Sequence, residues 1–77
     1  MKSLKQLSLL KRLNFLIQLE ATGSASSCAN RLNISRATFF RYRNLLVDLD
    51  APIEYCSDKE SYVYTEKFEL NFDGLLF

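Results

Sequence analysis

Between Leu4 and Ala21 apolar residues recur at three- and four-residue spacing. Leu9, Leu10, Leu13, Leu16 and Ile17 share one face, and Glu20 continues the spacing. That period is the mark of an amphipathic helix, expected over about residues 4–21, with Lys5, Lys11, Arg12 and Gln18 turned largely away from the apolar side. Gly23 can adopt the left-handed backbone a helix end often needs, which makes Ala21-Thr22-Gly23 the expected stop. Ser24 then stands as an N-cap for a short second helix over about 25–32, with Cys28, Ala29 and Leu32 on one side. Asn33 tolerates positive φ and breaks the chain again, Ile34 covers the turn, and Ser35 repeats the N-cap pattern. A third helix is expected over about 36–49, ended before Asp50-Ala51-Pro52 because proline forbids continuation.

Past Pro52 the period changes from helical to alternating. Ile53-Glu54-Tyr55-Cys56 and Ser61-Tyr62-Val63-Tyr64-Thr65 are rich in aromatic and β-branched residues and are separated by the polar Ser57-Asp58-Lys59-Glu60. They read as a hairpin over about 53–65. A further run, Phe68-Glu69-Leu70-Asn71-Phe72, alternates in the same way and is expected as an extra strand over about 68–72. The architecture is therefore α+β, three helices followed by a hairpin and a possible third C-terminal strand, in a single domain over 1–77.

Composition narrows the chemistry. The chain has 77 residues, no His and two Cys, Cys28 and Cys56. A length of this order supports one modest core and no cleft between lobes. Without His, most familiar nucleophile activation and tetrahedral zinc chemistry is excluded, so neither an enzyme nor a metal or other cofactor is expected. The two cysteines are too few for a disulfide framework and read as small, half-buried thiols in a reducing compartment. No apolar run of membrane-spanning length occurs, and the Leu-rich opening, interrupted by Lys5, Lys11, Arg12 and Asn14, has no signal-peptide form. A cytoplasmic protein with no membrane contact is expected.

The net charge of +1 hides an asymmetry. Residues 1–50 carry eight basic and three acidic side chains, for +5, whereas 51–77 carry two basic and six acidic ones, for −4. A basic front of this kind is a footprint of nucleic-acid contact.

The third helix gives that footprint a shape. At 100° per residue, Phe39, Tyr42, Leu46 and Leu49 fall within about 80° of one another, with Thr38 and Leu45 at the flank, and form the stripe expected to face the core. Ala37, Arg41 and Asn44 lie on the far side, with Phe40 and Arg36 beside them. Arg can bond guanine O6 and N7 together, Asn can bond adenine N6 and N7, and an apolar group can touch a thymine methyl. Ala37, Phe40, Arg41 and Asn44 are accordingly the expected base readers. Ser26, Arg31, Ser35, Arg36, Thr38 and Arg43 are the expected phosphate contacts, Ser35 and Thr38 acting with the amides of the helix N-terminus.

Residues Thr22 to Tyr42, and in particular Ala29, Leu32, Asn33, Ile34, Ser35, Arg36, Ala37, Thr38, Phe39, Phe40 and Arg41, resemble the helix-turn-helix core of bacterial winged-helix regulators. These are the N-terminal modules of WYL-domain and deoxyribose-operon-repressor-like proteins. The resemblance covers roughly residues 9–65. It implies a winged helix-turn-helix fold and sequence-specific binding of double-stranded DNA by a transcriptional regulator, with the third helix in the major groove. Three features depart from the family pattern. Asn33 and Asp50 stand where glycine is usual, and both residue types tolerate left-handed backbone. Arg43 stands where an aliphatic core residue is usual; it either snorkels beside the core towards a phosphate or loosens the helix packing. The hairpin tip holds Asp58, Lys59 and Glu60, where a wing on DNA would carry more Lys and Arg, so strong wing contact is not expected.

The family joins this module to a ligand-sensing domain, and no small-molecule ligand domain is expected here. The stretch from Phe68 to Phe77, apolar at Leu75, Leu76 and Phe77, either completes the core or pairs with a second copy in a homodimer. The competing reading is a winged-helix module for protein–protein interaction or dimerisation that does not bind DNA. It draws on the acidic second half, the weak wing and a Phe40 expected to be exposed.

Overall fold

In the computed structural model, which describes residues 2–70, α1 spans Lys2–Gln18, α2 Ala25–Leu32 and α3 Arg36–Asp48. Strands β1 (Ile53–Cys56) and β2 (Ser61–Tyr64) follow as an antiparallel pair, with Ile53 opposite Tyr64 and Cys56 opposite Ser61. The fold is α+β, with a winged-helix-like order of elements. No helix among the described residues is long and apolar enough to cross a membrane.

Sequence dictates the helix starts directly. Ser24 and Ser35 both sit in extended backbone, and each hydroxyl accepts the amide three residues on, from Ser27 at 3.1 Å and Thr38 at 3.0 Å. Each bond satisfies one of the donors that a helix N-terminus leaves without an intrahelical partner.

All three helices end alike. Glu20, Asn33 and Asp50 take left-handed backbone at φ 56°, 60° and 69°. In each case this residue's amide bonds back three residues and the next amide bonds back five: Glu20 to Ile17 and Ala21 to Leu16, Asn33 to Asn30 and Ile34 to Ala29, Asp50 to Val47 and Ala51 to Leu46. These are Schellman closures, which satisfy carbonyls the helix would leave open. Asn33 behaves as expected. The end of α1 does not: the helix stops at Gln18 rather than near residue 21, and Glu20, not Gly23, reverses it. Gly23 is also left-handed, at φ 70°, but its place is the connector immediately before the Ser24 cap.

The core is assembled from the expected stripes, with one substitution. Leu10, Leu13 and Ile17 of α1, Ala25, Cys28, Ala29 and Leu32 of α2, and Phe39, Tyr42 and Leu46 of α3 are buried, with Leu9, Leu16 and Ile34 packed at the margin. Leu49, expected to extend the α3 stripe, is 37% exposed. The helix has already ended at Asp48, so helical spacing no longer governs where Leu49 points. Ala51, carried back by its bond to Leu46, is buried in its stead.

The hairpin is fastened to the helices by rings and hydroxyls. Phe39 meets Tyr62 at 5.3 Å between ring centroids, and Tyr62 meets its cross-strand partner Tyr55 at 5.1 Å. Tyr64 donates to Asn14 Oδ1 of α1 at 2.6 Å, and burial pushes its phenol pKa up. Thr22 and Ser61, both buried, form a second fastening. Thr22 N–H donates to Ser61 Oγ at 3.0 Å, the two hydroxyls lie 3.0 Å apart, and Tyr62 N–H donates to Thr22 Oγ1 at 2.8 Å. The α1–α2 connector is thus held against the start of β2.

The expected extra strand is not formed over 68–70, where the chain follows the hairpin without ladder pairing; its last two residues, 71 and 72, lie outside the described residues. The alternation itself persists, because Phe68 and Leu70 pack against the core, Phe68 at 5.1 Å from the Tyr64 ring, while Glu69 is exposed.

Candidate nucleic-acid interface

Helix α3 is held along one stripe and open along the other. Phe39 and Leu46 are fully buried and Tyr42 nearly so, which fixes the helix about its axis. Ala37, Arg41 and Asn44, at positions i, i+4 and i+7, are all exposed. A guanidinium, an amide and a small residue therefore stand in a row on a helix that cannot readily rotate.

Beside that row runs a second one, Arg36, Phe40 and Arg43, at the same spacing. Phe40 is half-buried rather than exposed. Its ring packs edge-on against Phe39 at 5.2 Å and 75°, which draws it towards the core. Its remaining surface is shared by two cations, with Arg36 Cζ 5.0 Å and Arg43 Cζ 5.6 Å from the ring centroid. Both lie within the range in which a ring's negative face attracts a guanidinium. The apolar contact with a base expected of Phe40 is therefore restricted, and its clearer job is to carry two arginines. Arg43 is half-buried, and its Nε is buried without a hydrogen-bond partner. No carboxylate among the described residues pairs with Arg36, Arg41 or Arg43.

The other expected phosphate contacts differ in how far they are already engaged. Ser35 Oγ accepts the Thr38 amide and donates to Thr38 Oγ1 at 2.9 Å, so both hydroxyls are used in capping α3. Ser26 is exposed in the first turn of α2. Arg31 is exposed but donates through Nη1 to the Ala21 carbonyl at 2.8 Å, bracing α2 against the end of α1. Arg31 also opposes, weakly, the effect of burial on neighbouring Cys28, whose thiol pKa is nonetheless pushed up. Cys28 is fully buried rather than half-buried, Cys56 is half-buried, and neither is in a disulfide.

The hairpin tip is arranged differently. Lys59 Nζ lies 2.9 Å from both carboxylate oxygens of Glu20, the residue that closes α1. This bond and the Glu20 charge raise the Lys59 pKa. The one cation in the turn, flanked in sequence by Asp58 and Glu60, is thus spent on an internal ion pair with Glu20. Sequence spacing gave no sign of this pair or of the Thr22–Ser61 fastening, since each joins residues 39 positions apart.

The chain matches none of the known protein-family models, curated proteins or solved structures.

Proposed function

We propose that the chain is a small winged-helix regulator of transcription that binds double-stranded DNA sequence-specifically, with α3 in the major groove. The reading is that of a bacterial, cytoplasmic protein without catalytic activity. What carries it is the division of α3: a locked stripe of Phe39, Tyr42 and Leu46 opposite exposed Ala37, Arg41 and Asn44. A reading helix must be rigid on one side and chemically informative on the other, and a major groove about 12 Å wide admits such a helix. Arg41 and Asn44 read base edges, with Ala37 against a thymine methyl. Arg36 and Arg43, steadied by Phe40, reach phosphates, and Ser26 and Arg31 approach the backbone from α2. A second copy, paired through the segment beginning at Phe68, would place two readers on adjacent turns of DNA.

Selection of bound sites from a random duplex pool, followed by anisotropy titrations over a range of salt, tests this. Arg41→Ala is expected to remove about 1–3 kcal/mol of discrimination between the selected site and random duplex. Arg36→Ala is expected to weaken both equally and to lower the salt slope by about one. Equal loss on both duplexes for Arg41→Ala would remove it as a base reader.

The acidic hairpin with its internally paired Lys59 favours a second reading, a winged-helix module for protein–protein interaction or dimerisation. A salt slope near zero on random duplex would select it, because DNA binders release counterions.

A further inference from the structure

The side of α1 next to α2 carries a groove at the margin of the core and apart from the exposed α3 row, apolar at its Phe15 end and mixed, with Ser8 and Asn33, at the other. One hollow of about 350 Å³ is floored by Leu16 and Leu32 and walled by Phe15, with Lys11, Arg12 and Arg31 around it. A second, of about 400 Å³, lies between Leu9, Leu32 and Ile34, with Lys5 and Arg12 at its edge. Arg12 and Leu32 border both, so the two hollows adjoin. From Lys5 to Phe15 the groove follows α1 for about 15 Å at 1.5 Å per residue. Phe15 is 58% exposed, which leaves a large ring standing at one end of the groove.

The charge around the groove has one sign. Lys5, Arg12 and Arg31 border it, and among the described residues no carboxylate lines either hollow. Glu20, the sole acidic residue of the chain before Asp48, is held by Lys59. We propose that this groove docks an acidic amphipathic helix of a partner protein, its apolar side laid on Leu9, Leu16 and Phe15 and its carboxylates meeting Arg12 and Lys5. Length favours a peptide over a small amphiphilic anion, which would fill one hollow and leave the other open. Chemistry favours it over nucleic acid, whose phosphates gain nothing from an apolar floor. A helix laid in a groove and anchored at i, i+3, i+4 and i+7 is a recurrent mode of peptide recognition. The docking is independent of DNA binding by α3.

The probe is a fluorescently labelled synthetic peptide of about 12 residues, about 18 Å as a helix, with Leu on one helical side and Glu elsewhere. A counterpart carries Lys in place of every Glu. The expected result is saturable binding of the acidic peptide alone, weakened at least about tenfold, or about 1.4 kcal/mol, by Arg12→Glu with Phe15→Glu. Arg41→Ala should leave it unchanged. Absence of saturable binding, equal binding of the lysine peptide, competition by random duplex or indifference to the double variant would each overturn the proposal. If the double variant loses its helical circular dichroism, Arg12→Glu alone decides: the preference for the acidic over the lysine peptide must shrink, and an unchanged preference overturns the proposal.

Discussion

Helix α3 and the hairpin tip both present cations, and the molecule treats them in opposite ways. Arg36 and Arg43 lean on the Phe40 ring and Arg41 projects from the exposed row, and no carboxylate among the described residues forms an ion pair with them. Lys59 is closed onto Glu20 by two short contacts. A ring steadies a guanidinium while leaving its charge available, whereas a carboxylate cancels the charge it holds. The useful quantity for a functional reading is therefore the cation left unneutralised after internal pairing, which α3 keeps in Arg36, Arg41 and Arg43 and the hairpin tip does not.

The comparison supposes that both regions are held by one core, and Phe39 is the residue that joins them, touching Phe40 on one side and Tyr62 on the other. Phe39→Ala is expected to cost about 3–5 kcal/mol, enough to threaten a fold of this size, as measured by urea denaturation. Both regions should fail together; selective loss of the hairpin would show that they are separately supported.

Thr22→Val attacks the hairpin side alone. It leaves Tyr62 N–H without its acceptor and removes the hydroxyl contact with Ser61 Oγ, which keeps the backbone amide of residue 22, at an expected cost of about 1–3 kcal/mol. Amide exchange should quicken at Tyr62 and in β2 while α3 keeps its protection.

Tyr64→Phe removes the bond to Asn14, for about 1 kcal/mol at neutral pH. It also sharpens the pH dependence. The Tyr64 pKa is raised in the folded chain, so its contribution is complete below the ordinary value of 10.0 and declines as pH rises above it, where the unfolded chain ionises first. The stability measured by urea denaturation should therefore decline with pH above about 10, less steeply in the variant; identical alkaline slopes would remove Tyr64 as the cause.

The smallest effect is expected at the tip. Lys59→Ala breaks an exposed pair and should scarcely move the thermal midpoint, since such pairs contribute little. Its consequence is electrostatic. With Glu20 released, the DNA affinity proposed for α3 is expected to fall slightly at low salt and to converge with that of the unsubstituted chain at high salt, read by anisotropy.

The element order was legible because its signals are local. Ser24, Ser35 and Asn33 act within three residues of themselves, and the apolar periods of α1, α2 and the first part of α3 need no knowledge of their neighbours. Leu49 was misplaced because a helical wheel continues past the end of a helix that has already turned. Glu20 was overlooked because glycine is the better left-handed residue in isolation, and a Gly stood three positions further on. The exposed row of Ala37, Arg41 and Asn44 follows from period alone, but the recruitment of Phe40, Arg31 and Lys59 into internal contacts depends on which elements meet in space. Those meetings, like the groove along α1, have no signature in a single sequence.

The three helix closures at Glu20, Asn33 and Asp50 carry a consequence for how this chain could change. Glycine at any of these positions would relieve left-handed strain of roughly 1 kcal/mol, so each looks like an improvement waiting to be made. At Glu20 the strained residue is also half of the strut to the hairpin, because a side chain exists there to reach Lys59. Relaxing that corner would trade a bracing contact for backbone ease, whereas Asp50, exposed and without a hydrogen-bond partner for its side chain among the described residues, could be relaxed without loosening anything.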